Sequence, residues 1–242
     1  MHGLVVVDKP LGWSSMDVVR RLRRAIAMGR DAAGLPRLAM HKIKAGHAGT
    51  LDPLATGVVI CCVGRATRAV ESLMGMPKVY AATVDLSAFT TTDDREGERE
   101  AVACPPIERG VIEATLPRFV GEIQQRPPAY SAIHVDGQRA YKLARRGEAL
   151  QLPPRPVVVY DLTVTGYAWP RLDLTVTCGR GTYIRSLARD VGVALGTGGH
   201  LAALRRTAVG PYRVADAIPG SRLDRAITQA DLLPAPGTSD TM

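Results

Sequence analysis

The sequence has 242 residues, of which 46% are hydrophobic, and its basic residues outnumber its acidic residues by 31 − 23 = 8. This composition predicts a core large enough for one domain, expected over residues 1–233 with a flexible end at 234–242. The opening apolar run at residues 4–7 is too short for a signal peptide or a membrane span. The positive charge fits a polyanionic partner about as well as it fits an ordinary basic protein.

The cysteines give no sign of a metal centre or of disulfides. They show no CxxC spacing and no partnering pair of histidines, so neither a zinc site nor a disulfide framework is predicted. We therefore expect no metal and a reduced, cytoplasmic compartment. The cysteines are Cys61, Cys62, Cys104 and Cys178.

A buried strand at residues 4–7 opens the chain and is followed by a turn at residues 9–12. Ser14 and Asp17 have the spacing of a capping box, which predicts a helix from there to about Met28. The apolar residues of this helix share one face, and arginines occupy the rest. These arginines could bind an anion, but the residues alone favour a solvated face.

Turns and strands alternate in the next part of the chain. Residues 29–45 predict an irregular basic connection, and residues 46–57 predict a loop leading into a strand at 58–63. Alternation predicts a further strand at 79–86, with Tyr80 on the same side as its apolar residues. The polar and acidic residues 87–106 predict an exposed excursion.

The second half mixes helices and strands without regular alternation, which predicts an α+β fold. Helices are predicted over residues 107–119, 182–195 and 200–206. Strands are predicted over residues 131–135, 157–165, 172–178 and near 209–214, with extended chain at 126–130 before and through two prolines.

The loop around Asp52 is the most informative segment. Three glycines, two threonines, a proline and a histidine within residues 46–57 exceed what a surface turn usually requires. Leu51 and Leu54 can anchor the loop in the core, and Pro53 fixes the backbone after the aspartate. The pattern indicates a carboxylate held in a specified place, although a structural loop with a capping aspartate fits the composition about as well.

A second informative segment begins at residue 178 and enters the predicted helix at 182–195. Its glycines let the backbone approach a ligand, and the free amides at the start of the helix could bind phosphate. Arg185 stands where the helix dipole favours acidic residues, so it should have an anionic partner. If Asp52 is that partner, the pair would keep the carboxylate ionised. A surface arginine is the weaker alternative, because apolar residues bracket Arg185.

Several stretches, taken together and in order, resemble one known family. They are GLVVVDKP at 3–10, GWSS at 12–15, GHAGTLDPLATG at 46–57, PPAYSA at 127–132 and RGTYIR at 180–185. Over about residues 3–214 the sequence is similar to the bacterial tRNA pseudouridine-55 synthases, also called the TruB family. The resemblance implies a pseudouridine synthase fold with a mixed, mostly antiparallel central sheet flanked by helices and loops.

The resemblance also implies an activity. Members isomerise uridine to pseudouridine at position 55 in the T-loop of tRNA, after flipping the nucleotide into the site. The bond from the ribose anomeric carbon to uracil N1 is broken, and that carbon is joined to C5. Because no electron, phosphate or group carrier is consumed, no cofactor is needed. The implied partner is the tRNA T-arm, bound by a monomer that needs no membrane and no protein partner.

Residue roles carry over from the same motifs. Asp52 would be the catalytic aspartate and Arg185 its partner. Tyr80 would stack on the target base, His47 would pack into the RNA loop, and the uracil pocket would be lined by Tyr183 and Leu204. Ordinary packing explains Tyr183 and Leu204 as well. Whether the aspartate attacks the anomeric carbon or removes a ribose proton is left open.

The sequence departs from the family in three respects. The connection before His47 is longer, His134 stands where lysine is common, and Ser87 and Thr91 stand where glycine and aspartate are usual. A chain of this length leaves no room for the PUA-type RNA-binding module of many relatives, so affinity for tRNA is expected to rest on the catalytic domain.

Two other functions compete with the enzyme. An inactive tRNA-binding chaperone on the same fold would have no need for Asp52, Tyr80 and Arg185 together. A hydrolase would require a second paired carboxylate or a metal-ligand cluster, and the sequence shows neither.

Overall fold

The computed structural model describes residues 1–36, 38–130, 134–135, 138–139 and 152–236. Fourteen strands lie in these residues: β1 (Gly3–Lys9), β2 (Ala45–His47), β3 (Ala55–Val63), β4 (Lys78–Asp85), β5 (Ala88–Thr90), β6 (Arg99–Ala101), β7 (Gly121–Gln125), β8 (His134–Val135), β9 (Gln138–Arg139), β10 (Arg155–Ala168), β11 (Arg171–Cys178), β12 (His200–Val209), β13 (Tyr212–Arg213) and β14 (Ile218–Pro219). The α-helices in the same ranges are α1 (Ser15–Ala32), α2 (Val70–Gly75), α3 (Arg109–Thr115) and α4 (Ile184–Leu195).

The chain divides into two compact units, the first formed by Met1–Val79 with Arg205–Met242 and the second by Tyr80–Leu204. The division falls inside β4 and β12, so each of these strands contributes residues to both units. Strands and helices mix in both, which confirms the predicted α+β fold. The prediction of one catalytic domain over residues 1–233 stays a prediction.

The sheet of the first unit is built around β1. This strand pairs antiparallel with β3, from Gly3 opposite Val63 to Lys9 opposite Gly57, and parallel with the short β14. β2 adds to β3, and β13 adds to β12, both antiparallel. The sheet is therefore mixed and mostly antiparallel, as predicted, and apolar side chains of β1 and β3 form the core of this unit.

The predicted capping box starts α1. The hydroxyl of Ser14 accepts from the amide of Asp17, whose carboxylate accepts in return from the amide of Ser14. The helix ends at Ala32, so its predicted end at about Met28 and the irregular segment from Gly29 are wrong. Gly29 lies inside the helix, and its missing side chain lets the backbone of Ile227 approach, where a Cβ atom would collide.

The second unit is a sheet in the order β4-β11-β10-β7, with α3 and α4 packed together. β10 runs antiparallel to both β11 and β7. Tyr80 shares the buried face of β4 with Ala82 and Val84, as alternation predicts. Of the predicted strand at 131–135, the part at 131–133 lies outside the described residues.

Two predictions in this part of the chain are wrong. Residues 87–106 are not simply an exposed excursion, because they contain the β5–β6 hairpin and the buried Ala88 and Asp94. Residues 200–206 form the strand β12 and not a helix. Leu204, Arg206 and Ala208 are buried alternately along this strand, and a buried arginine hides the period of two that would have revealed it.

The described residues near the C-terminus belong to the first unit. Leu233 exchanges backbone hydrogen bonds with Leu4, at 2.8 and 2.9 Å, and Ala235 is only 6% exposed. The rest of the predicted flexible end, residues 237–242, lies outside the described residues. Within the part of the chain that the structure covers, no helix is both long and apolar enough to cross a membrane.

We expect Gly192→Ala, in the interior of α4, to lower the free energy of unfolding by about 1–3 kcal/mol, because the new Cβ would collide with the backbone of Gly198. Chemical denaturation checks this. The matched control is Gly110→Ala in α3, where nothing lies within 4 Å and alanine should gain up to about 1 kcal/mol. Equal effects at the two glycines would contradict the close approach at α4.

Candidate active site

Asp52 lies between β2 and β3, in a connection that we call the Asp52 loop (residues 48–54). Its side chain is half-buried, while Leu51 and Leu54 are buried and anchor the loop in the core, as predicted. The amide of Ala55 donates to the carbonyl of Asp52 at 3.0 Å, which closes a turn at the aspartate. The carboxylate is thus held on an anchored turn and stays partly accessible.

The start of α1 fixes the middle of the Asp52 loop. The hydroxyl of Ser15 accepts from the amide of Leu51 at 2.8 Å and donates to its carbonyl at 3.2 Å. The amide of Gly12 donates to the carbonyl of Pro53 at 2.8 Å. Because Ser15 is the first residue of α1, the capping box that starts the helix also places the residues beside Asp52.

Arg206 of β12 lies under the same loop and is 1% exposed. Its Nε donates to the carbonyl of Val58 at 2.7 Å. Its Nη1 and Nη2 donate to the carbonyls of Thr50 and Gly49, both at 3.2 Å. One guanidinium group therefore contacts the backbone on both sides of Asp52.

Lys9, at the end of β1, is also buried and bonds to backbone. Its ammonium donates to the carbonyls of Trp13 at 2.6 Å and Pro10 at 3.1 Å. Burial lowers the pKa of Lys9 to about 8, and Arg206 adds to this, while the negative charge of Asp52 opposes it. A cation thus lies within electrostatic reach of the Asp52 carboxylate.

His47 closes β2, immediately before the Asp52 loop, and is half-buried. Burial lowers the pKa of its imidazole, and the nearby charge of Arg206 lowers it further. The ring is therefore neutral at physiological pH. Among the residues that the structure covers, no hydrogen-bond partner is found for its Nδ1.

Arg185 lies in the second unit, in the first turn of α4, and is 6% exposed. Its Nη1 lies 3.5 Å from Oδ2 of Asp94 and donates to the carbonyl of Thr92 at 3.3 Å. Its Nη2 donates to the carbonyl of Tyr130 at 3.0 Å. The expected anionic partner therefore exists within this unit as Asp94, and the pairing of Arg185 with Asp52 stays a prediction.

Asp94 is itself held rigidly and is 3% exposed. Its Oδ1 accepts from the hydroxyl of Thr92 at 2.6 Å and from the amide of Glu96 at 3.0 Å. With Oδ1 engaged in this way, Oδ2 is directed at Arg185. The turn that carries Asp94 thus sets the orientation of the guanidinium group.

A second ion pair supports the same turn. Asp93, whose φ is +59°, accepts from Nη1 of Arg189 at 2.6 Å. Nη2 of Arg189 donates to the carbonyl of Arg126 at 3.0 Å. Burial raises the pKa of Asp93, and the charge of Arg189 opposes that rise. Two arginines one helical turn apart therefore hold two successive aspartates.

The aromatic candidates also lie in the second unit. Tyr80 is 8% exposed on β4, and Tyr183 immediately precedes α4. The fully buried amide of Gln125 contacts Tyr183 twice, accepting from its backbone amide at 2.8 Å and donating to its carbonyl at 3.1 Å. This contact fixes the backbone from which the tyrosine projects.

The predicted site residues divide between the two units. His47 and Asp52 belong to the first, and the second contains Tyr80, Tyr183, Arg185 and Leu204, the last 8% exposed on β12. Sequence reasoning missed Asp94, Gln125 and Arg206 as site residues. Each of the three has an identical residue immediately before it in the sequence, so the residue type alone did not mark it as functional. Within the described ranges, no group of three histidine, cysteine, aspartate or glutamate side chains could hold a metal ion.

Comparison with protein families accounts for most of the chain. Residues 37–184 match the model of the N-terminal domain of the TruB family pseudouridylate synthases. Residues 185–233 match the model of the C-terminal domain of tRNA pseudouridylate synthase B. The chain belongs to the TruB family.

Curated members of the TruB family are similar along most of their length. The tRNA pseudouridine synthase B of Thermobifida fusca is 47% identical over 241 residues, which cover 96% of this chain and 76% of that protein. That of Arthrobacter is 48% identical over 219 residues, which cover 88% and 67%. That of Bacteroides fragilis is 43% identical over 226 residues, which cover 93% and 94%.

Solved structures give the same fold. A Cbf5-Nop10-Gar1 complex contains a chain that is 29% identical to this TruB family member, with a TM-score of 0.67. An H/ACA RNP bound to a substrate RNA containing 2′-deoxyuridine contains one that is 28% identical, with a TM-score of 0.64. Each match covers 92% of the present chain. The present chain spans about half of the matched chains, 54% of the first and 52% of the second. The predicted pseudouridine synthase fold is confirmed.

We expect Lys9→Met to change how stability depends on pH. Between about pH 8 and pH 10.5 the unfolded chain still binds the lysine proton and the folded protein does not, so the native protein gains stability as the pH rises. The native protein should therefore gain on the order of 1–3 kcal/mol relative to Lys9→Met across this interval, measured by urea unfolding. Lys42→Met, at an exposed lysine, is the control. A Lys9→Met curve parallel to the native curve would show that the Lys9 amine is not buried.

Proposed function

We propose that this protein converts uridine to pseudouridine at position 55 in the T-loop of tRNA, with Asp52 as its essential carboxylate. Membership of the TruB family supports the isomerisation, since curated relatives above 40% identity are tRNA pseudouridine synthases. The observation that carries the role of Asp52 is its setting. It is a partly accessible carboxylate on a turn fixed by Ser15, Gly12 and Arg206.

The proposed reaction makes few demands on the protein. The glycosidic bond from the ribose anomeric carbon to uracil N1 breaks, the base turns, and the same carbon bonds to C5, whose proton is released. Asp52 acts either as a nucleophile at the anomeric carbon or as a base that removes a ribose proton. Both routes need an ionised, oriented carboxylate, and the buried ammonium of Lys9 supplies a positive charge close to it.

The second unit supplies the proposed base-binding groups. Tyr80 would stack on the uracil, while Tyr183 and Leu204 would line the pocket and exclude water. Their support is the burial of Tyr80 and Leu204 and the backbone of Tyr183 fixed by Gln125. Arg185 would direct its guanidinium group at the reacting carboxylate, from an orientation set by Asp94. A planar guanidinium group carries five donors in a rigid fork, so it can bond both carboxylates at once in a fixed geometry.

Access to the base requires RNA contacts. Flipping a stacked nucleotide costs a few kcal/mol, which phosphate contacts and stacking can offset. Exposed Lys42 and Lys44 lie just before His47 and are proposed to meet the phosphates. The lowered pKa of His47 favours an uncharged ring in the free protein, and this ring would pack against the RNA loop.

We also infer a monomeric enzyme in the cytoplasm that binds the T-arm without an obligate protein partner. The four free cysteines, three of them buried, support a reducing compartment. The Nop10 and Gar1 chains named for one structural neighbour belong to that complex, and no such partner is proposed here.

Asp52→Asn should abolish tritium release from a tRNA transcript labelled at C5 of uridine, lowering the rate by at least about 10³-fold, or ~4 kcal/mol. Asparagine keeps the size of the side chain but removes its charge, so tRNA binding should stay within a few-fold of native. Asp216→Asn, at an exposed aspartate of the first unit, is the control. Tight tRNA binding with no release from the native protein would favour the chaperone and refute the enzyme.

Asp94→Asn should lower the single-turnover rate by on the order of 10²-fold, because Arg185 would lose its ion pair and its fixed orientation. Tritium release with enzyme in excess measures this, and filter binding should give a dissociation constant for tRNA close to native. The matched control is Glu96→Gln, whose exposed side chain lies two residues further along. Equal rates for the two variants would rule out a role for the Asp94 carboxylate.

A further inference from the structure

Arg206 is the largest fully buried side chain among the described residues of the first unit, and it takes no part in the bond changes of the proposed reaction. Burying a guanidinium group is costly unless its donors are satisfied. The donors of Arg206 reach main-chain carbonyls at 2.7–3.2 Å, on Gly49, Thr50 and Val58. Gly49 and Thr50 lie in the Asp52 loop before the aspartate, and Val58 lies in β3 after the loop.

The shape of arginine suits this contact. Its planar fork carries donors in three directions, whereas the ammonium of lysine is a single point at the end of a flexible chain. Nε bonds to one side of the loop, and the two terminal nitrogens bond to the other. The backbone of Arg206 also lies against Gly57, where a Cβ atom would collide with it. Gly57 has φ = +107°, a conformation that favours glycine. The loop and β12 thus meet through both main chain and side chain.

We propose that Arg206 is a positioning residue that clamps the chain on both sides of Asp52, in the Asp52 loop and in β3, and so fixes the direction of the catalytic carboxylate. This inference rests on the proposed function of Asp52. Ser15, the first residue of α1, and Gly12, in the turn before it, hold the middle of the loop at Leu51 and Pro53. Arg206 holds the backbone before Asp52 at Gly49 and Thr50 and after the loop at Val58, so Asp52 is fixed from both directions.

The clamp and the charge of Arg206 can be separated. The charge reaches Lys9 on one side and His47 on the other and lowers the pKa of both. Arg206→Lys keeps the positive charge but cannot reach carbonyls on both sides of the loop. Arg206→Gln loses the charge and keeps one donor group. A clamp predicts that both variants fail, whereas a purely electrostatic role predicts that lysine rescues activity.

The experiment measures tritium release in single turnovers, with enzyme saturating over C5-labelled tRNA and well below the melting temperature of each variant. We expect Arg206→Lys to lower the rate by on the order of 10²-fold, as expected for a misplaced reacting group, with the tRNA dissociation constant within about threefold of native. Arg206→Gln should be at least as slow. The matched control is Arg222→Lys, since Arg222 also donates to a backbone carbonyl in the first unit, that of Ala226 at 2.8 Å.

Several results would overturn the inference. A rate within threefold of native for Arg206→Lys, despite a lower melting temperature, would make Arg206 merely structural. Native-like activity in Arg206→Lys with loss in Arg206→Gln would assign the effect to charge. A tRNA dissociation constant that rises in proportion to the loss of rate would assign it to binding. An equal loss of rate in Arg222→Lys would show a general effect of weakened packing.

A second measurement does not depend on activity. The amides of Leu51 and Ala55 are hydrogen-bonded within the loop region, so their hydrogen exchange reports how firmly the loop is held. Arg206→Lys should speed both exchanges while amides of α1 stay as in the native protein. Unchanged exchange would refute the clamp. If the native protein releases no tritium, the proposed function and the catalytic part of this inference fail together, and the exchange data still decide whether the clamp exists.

Discussion

Two cations removed from water, Lys9 and Arg206, dictate the construction of the first unit. Each satisfies its donors on main-chain carbonyls, which requires the backbone to bring carbonyl groups to them. The turn after β1 supplies those of Lys9, and the Asp52 loop together with Val58 of β3 supplies those of Arg206. The conformation of both segments is therefore tied to a buried charge, and Asp52 lies within electrostatic reach of Lys9.

The second unit solves a similar problem with carboxylates. Arg185 and Arg189, one helical turn apart on α4, reach Asp94 and Asp93 of a single tight turn. An ion pair fixes the direction of a side chain more narrowly than a carbonyl contact, because both partners are charged and the aspartate is itself bonded. The two units thus hold their arginines differently, and the difference follows what each arginine contacts. Arg206 donates to backbone carbonyls, whereas Arg185 adds an ion pair with Asp94 to its own bonds with the carbonyls of Thr92 and Tyr130.

Local patterns in the sequence predicted much of the structure, and long-range partners account for what they missed. The capping box at Ser14 and the alternation around Tyr80 depend on neighbouring residues and could be predicted. β12 was predicted as a helix because Leu, Ala and Arg favour helices and its buried arginine interrupts the apolar alternation. The hydrogen-bond acceptors of Arg206 are carbonyls 148 to 157 residues earlier in the chain. No local sequence pattern contains contacts at such separations. Asp94 was missed for a different reason, because several nearby residues in the sequence are acidic and its residue type does not distinguish it from them.

The hydrogen bonds between Leu4 and Leu233 have a consequence for how the chain is made. The strand β1 is translated long before its partners β14 and Leu233, and Gly49 is translated 157 residues before Arg206. The second unit, one continuous stretch from Tyr80 to Leu204, is translated between Gly49 and Arg206. During synthesis, Asp52 therefore lacks the contacts of Arg206 until the whole second unit has been translated. A chain truncated before Arg206 would therefore lack the hydrogen bonds that hold the backbone on both sides of Asp52.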